Sequence, residues 1–155
     1  MLEQRALQAA REDWRALGFH YERDDESREW RFTGSRSGLL GLRDLLIAYV
    51  RDPGHAAVSE HEHYGPYLYL EVMTWPEAGL DAHALRGPLS SLEHLAHLVA
   101  ERLAVARPGE RLFLREDFAP AGPYSLVLLV QSDDFDPASA DPELLGGLGR
   151  PEVGG

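Results

Sequence analysis

The segment Ser59-Glu60-His61-Glu62-His63 is the densest run of reactive side-chain types in this chain. On a strand, successive side chains point to opposite faces, so His61 and His63 share one face and Glu60 and Glu62 the other. Imidazoles at that spacing suit a chelated transition ion, with His83 as a third donor. The carboxylates suit a different chemistry. Glu60 facing Glu71 would make a pair in which one partner holds its proton, giving an acid and a base side by side with His83 at hand. A third use of the region is recognition. Tyr67, Tyr69 and Glu71 alternate with Leu68, Leu70 and Val72. If the apolar set looks inward, the tyrosines stay wet, and tyrosine offers a partner large contact area at low entropy cost. Matching apolar with apolar on the next strand brings Asp81 and His83 beside them. The expected binding face is therefore Glu60, Glu62, Tyr67, Tyr69, Glu71, Asp81 and His83.

Strand register separates these uses, because a one-residue slip turns every side chain to the other face. A two-residue turn at Gly65-Pro66 pairs Tyr64 with Tyr67, and so sets Glu60 opposite Glu71 and Glu62 opposite Tyr69. A three-residue turn pairs His63 with Tyr67 and His61 with Tyr69, and aims Glu60 and Glu62 at the apolar set. Burying carboxylates there is costly, so the first register is preferred. It turns the histidines toward Leu68, Leu70 and Val72, and the expectation is ordinary strand histidines with no metal and no cofactor. The His-x-His pair resembles the opening of the cupin ligand set. That family is excluded, because Glu71 comes eight positions after His63 and no second cupin motif follows.

Other patterns reduce to structural roles. Thr33-Gly34-Ser35-Arg36-Ser37-Gly38 precedes a helix, but its spacing matches neither the Walker loop nor the dinucleotide fingerprint. Arg36 stands where a nucleophile elbow needs serine, so Ser35 or Ser37 reads as a helix cap. His94, His97 and Glu101 lie on the exposed side of a helix. Asp133-Asp134-Phe135-Asp136-Pro137 lacks the glycine and closing glutamate of a calcium loop.

These residues sit in a chain of 155 residues with 15 basic and 26 acidic side chains, a formal charge of −11, and no cysteine. Disulfides, thiolate metal sites and thiol nucleophiles are excluded. The acidity disfavours nucleic acid and favours a basic protein partner. The absence of Lys and Asn fits GC-rich coding. No apolar run approaches the roughly 20 residues of a membrane span, and the mixed-charge start does not resemble a secretory leader. A cytoplasmic location is expected.

The elements that must position the face follow from periodicity. Leu7, Ala10, Trp14 and Leu17 mark an amphipathic helix ended by Gly18. Residues 19–23 and 29–33 read as a hairpin. Residues 37–52 form a second helix, apolar around most of its girth, so the Leu39–Val50 stretch is buried internally or at a homodimer contact. Residues 57–63, 67–74 and 80–85 read as an antiparallel meander. A helix begins at Ser90, with a Ser90–Glu93 capping box and a core stripe of Leu92, Leu95, Ala96, Val99 and Leu103. Strands at 111–116 and 124–131 close the domain, the second apolar on both faces and therefore central. The expected fold is α+β, a single antiparallel sheet of about five to seven strands with three helices in the order αββαβββαββ. One domain spans 1–132, followed by a poorly ordered acidic, then Gly/Pro-rich, tail at 133–155.

Two functions fit this reading. The first is a small acidic, non-enzymatic binding protein, of which a bacterial immunity-type protein neutralising a basic toxin is one concrete version. The alternative is a small hydrolase or metal-dependent enzyme using Glu60, Glu71 and His83, or His61, His63 and His83.

Overall fold

Helix α1 (Leu2–Leu17) stops at Gly18, whose φ of 97° lets its N–H close back on the Trp14 carbonyl at 3.0 Å. The structure, a computed structural model, describes residues 2–144. After α1 come β1 (His20–Asp24), β2 (Glu29–Ser35) and α2 (Arg36–Arg51). A 3-10 turn at Pro53–His55 leads to β3 (His61–Tyr64), β4 (Leu70–Thr74), β5 (Gly79–Leu80) and β6 (Ala84–Gly87). Then follow α3 (Leu89–Ala104), β7 (Arg111–Phe113), the single turn α4 (Arg115–Phe118) and β8 (Ser125–Gln131).

The α+β class is as expected, but the single antiparallel sheet is not. Two mixed four-stranded sheets form, ordered β1-β2-β8-β7 and β3-β4-β6-β5. Each consists of two antiparallel pairs joined by a parallel central pair, β2 with β8 and β4 with β6. Alternation within a segment reports that it is a strand with one buried face. It carries no information about the direction of a neighbour reached through tertiary contact. The apolar β8 is central, as its two-sided hydrophobicity requires, with Leu126, Val127, Leu128 and Val130 all buried.

Helix α2 is covered inside the chain. Leu39, Leu42, Leu46 and Tyr49 are buried, and the helix packs on α3 and on β2. Ser35 caps it by accepting from the Gly38 N–H at 3.0 Å. Gly38 also lets α2 approach the end of α1, since a Cβ there would stand 2.2 Å from the Gly18 carbonyl oxygen. The Thr33–Gly38 glycines thus serve a cap and a close crossing. The core stripe of α3 is buried as read from the sequence. Its capping box is not formed: the helix starts at Leu89 behind Pro88, with no side-chain cap, and Ser90 lies inside the first turn.

The meander differs more. Residues 57–59 are bend and turn, and β3 begins only at His61. The segment expected as one strand at 80–85 is two strands around a turn, because the Asp81 carboxylate accepts from the His83 and Ala84 N–H groups at 2.8 and 2.9 Å. The strand expected to reach Glu116 ends at Phe113, where α4 takes over. Part of the 133–155 stretch is packed. Pro137–Ala140 forms a 3-10 turn with Ala138 buried, Asp136 pairs with Arg15 at 2.8 Å, and Leu144 is buried. Residues 145–155 lie outside the described residues. Among the described residues, no helix is long and apolar enough to cross a membrane.

Candidate functional site: an acid-rimmed aromatic cleft

The first sheet braces the loops of the second through three side chains of the β1–β2 hairpin. The Tyr21 hydroxyl donates to the Tyr64 carbonyl at 2.6 Å and accepts from the Tyr69 N–H at 3.2 Å. The Trp30 indole donates to the Asp81 carbonyl at 2.8 Å, and Arg23 donates to the Ala82 carbonyl. Gly65 permits the first of these contacts: its φ is 91°, and a Cβ there would fall 2.2 Å from the Tyr21 hydroxyl. The β3–β4 loop and the β5–β6 turn are thereby fixed around a cleft of about 610 Å³.

Aromatic side chains make its floor and one wall. Trp14 is buried, with Tyr21 5.0 Å and Tyr67 6.2 Å away between ring centroids, both edge-on. Tyr67 is half-buried, and Tyr69 beside it is 69% exposed. Four acidic residues, Glu22, Glu71, Glu143 and Asp141, also line the cleft, with Arg23 as the one arginine among the described lining residues. Asp141 is buried, and one of its oxygens accepts from both the Trp14 indole at 2.8 Å and the Tyr67 hydroxyl at 2.6 Å. Its other oxygen accepts from the Glu143 N–H at 2.9 Å. Burial, together with the bond to Asp141, holds the Tyr67 hydroxyl protonated well above the ordinary tyrosine range. His20, buried against Trp14 with ring centroids 4.5 Å apart, is pushed below its ordinary value by desolvation, against the pull of Glu22 and Asp141.

The structure divides the residues singled out from the sequence. Tyr67, Tyr69, Glu71 and His83 all line the cleft. Glu60, Glu62 and Asp81 do not. Glu60 precedes β3, and its carbonyl accepts from Thr74 N–H and from the Tyr49 hydroxyl. Glu62 reaches the opposite face, where its carboxylate meets His55 at 3.2 Å. Asp81 is spent on its own turn and on Arg86, 3.1 Å away.

Neither register considered from the sequence is present. His63 pairs with Glu71, and Tyr64 with Leu70. The connection is five residues long, and the chain turns over at Leu68, whose φ is 60° and whose side chain is 59% exposed. Leu70 and Val72 do face the core, but Leu68 does not. The Glu60–Glu71 acid–base pair is consequently not assembled. His83 stands apart from the cluster in which His61, His63 and Glu71 meet.

Sequence reading missed Trp14, Tyr21, Trp30, Glu22, Asp141 and Glu143 as cleft residues. The available signal was the inward-facing aromatic series Trp14, Tyr21 and Trp30, which reads equally well as core. No protein-family model, curated protein or solved structure matches this chain.

Proposed function

We propose that this chain is a non-enzymatic binding protein whose cleft receives a basic side chain from a protein partner. The observation that carries the reading is the excess of acid in the cleft lining: among the described residues, Glu22, Glu71, Glu143 and Asp141 stand there against the single guanidinium of Arg23, beside Trp14, Tyr67 and Tyr69. A guanidinium entering there finds carboxylates for charge-assisted hydrogen bonds and ring faces for cation–π contact. The formal charge of −11 extends the attraction beyond the pocket and steers the encounter. An immunity-type role, in which the partner is a basic toxin, is the specific form of this proposal.

The test uses an arginine-rich hexapeptide, with citrulline and lysine versions as comparisons, followed through Trp14 and Trp30 fluorescence. Arginine should bind best, and binding should weaken steeply with salt. The triple variant Glu22→Gln, Glu71→Gln, Glu143→Gln should lose about tenfold or more in affinity, a charge-assisted contribution of at least about 1.4 kcal/mol. Equal binding of the citrulline peptide, or indifference to the three substitutions, would refute the proposal. For the immunity-type form, co-expression with the product of the adjacent upstream gene should rescue growth only when the cleft carboxylates are intact.

A further inference from the structure

Antiparallel pairing of β3 with β4 sets His63 directly opposite Glu71 and His61 opposite Met73. His61 and His63 alternate onto the face that carries Glu71. There, one ligand-capable atom from each of His61, His63 and Glu71 lies within 4.8 Å of the other two. The two imidazoles stand edge to face, with ring centroids 5.2 Å apart and planes at 90°.

Hydrogen bonding selects the tautomer of each ring in its neutral form. His61 Nδ1 lies 3.0 Å from the Ser59 carbonyl oxygen, and His63 Nδ1 lies 3.2 Å from that of Leu68. A carbonyl oxygen only accepts, so each neutral ring carries its proton on Nδ1 and keeps a lone pair on Nε2. A ring held through one nitrogen by a backbone carbonyl, with the other nitrogen free, is the arrangement that orients histidine toward a metal ion. Both clamping carbonyls belong to residues with left-handed backbones: Ser59 at φ 80° and Leu68 at φ 60°. Neither is glycine, so each conformation is disfavoured locally and is held in place by its surroundings. In both cases the resulting carbonyl meets a histidine of the cluster.

We propose that His61, His63 and Glu71 form a binding site for a divalent first-row transition ion, with Zn²⁺ as the reference case. Two imidazoles and a carboxylate make a borderline donor set suited to Zn, Co, Ni or Fe rather than to Mg or Ca. Three protein ligands leave coordination positions open. His63 and Glu71 also line the cleft, so the ion sits at its edge and offers those positions to a donor atom of whatever occupies it. The site shares Glu71 with the cleft proposed for a basic partner but is carried by the His61–His63 pair, so metal binding read without any peptide tests it independently of that reading.

The experiment titrates the full-length protein, purified with chelator and then freed of it, with Zn²⁺ against a chromophoric competitor. Co²⁺ absorption and His ring NMR serve as second readouts. One equivalent should bind, with the His61 and His63 ring resonances shifted and Co²⁺ giving an intense visible band. His61→Ala, His63→Ala and Glu71→Gln should each weaken binding about tenfold or more. The double variant His94→Ala/His97→Ala, which removes the exposed helical pair, should bind as wild type does. His61 and His63 are exposed, and unchanged circular dichroism will show that their variants fold. The proposal is overturned by absence of binding, by binding that survives His63→Ala, or by binding lost with His94 and His97.

Discussion

Removal of the Asp141 carboxylate tests whether one buried acid holds the cleft together. Its three accepted hydrogen bonds join α1, through Trp14, to the β3–β4 loop, through Tyr67, and to the chain after Pro137. In Asp141→Ala, the Trp14 indole N–H, on a side chain 2% exposed, is left without its acceptor, which costs about 1–3 kcal/mol. The Tyr67 hydroxyl is half-buried and reaches water, so its loss is nearer about 1 kcal/mol. The sum is about 3 kcal/mol, or a fall in Tm of about 6–12 °C for a chain of this size. Asp141→Asn should cost less, about 2 kcal/mol. Whichever way the amide turns, its NH2 group faces an N–H or O–H donor that the carboxylate had satisfied. Thermal and urea unfolding give the magnitudes, and the Trp14 indole N–H resonance reports the bond directly. Tyr67→Phe combined with Asp141→Ala should be less than additive, because both delete the same interaction. If Asp141→Ala melts within about 1 °C of wild type, a shift equivalent to less than about 0.5 kcal/mol, and the indole resonance stays put, the clamp does not exist.

Two histidines should give opposite pH signatures. His55 stacks on Tyr49 and is held by the Tyr49 carbonyl and the Glu62 carboxylate. Burial lowers its pKa, but those two bonds together with the negative charges of Asp52 and Glu62 outweigh burial and raise it above its ordinary 6.5. Its stabilising contribution is therefore full below pH 6.5 and is lost as pH rises through the folded value. His20 is depressed, so its contribution is full above pH 6.5 and is lost as pH falls through its folded value. NMR titration should place the two midpoints on opposite sides of the ordinary value, and His55→Gln should flatten the alkaline limb of the stability curve. Gly38→Ala should destabilise by about 1–3 kcal/mol through the clash with the Gly18 carbonyl, although alanine is the better helix former. A stabilised Gly38→Ala in urea unfolding would contradict the close crossing of α1 and α2.

Much of the architecture is determined locally and can be read residue by residue. The three long helices and the end of α1 at Gly18 follow from apolar spacing and a glycine with a left-handed backbone. The Ser35 cap is likewise a short-range hydrogen bond, and the burial of β8 follows from its run of apolar residues. Only the tertiary structure decided the rest. The parallel pairings of β2 with β8 and β4 with β6 join segments whose own patterns carry no sign of direction. The register of β3 on β4 depends on a turn at Leu68 that alternation cannot reveal, because the residue breaks its own apolar-inward pattern with a left-handed backbone and an exposed side chain. That register separates Glu60 from Glu71 and brings His61, His63 and Glu71 together. Asp141 lies in a stretch whose composition reads as solvated tail, and its place beneath Trp14 and Tyr67 comes from hydrogen bonds spanning 127 and 74 residues of chain. A carboxylate's partners are set by what the fold carries to it, and at such separations sequence spacing holds no record of them.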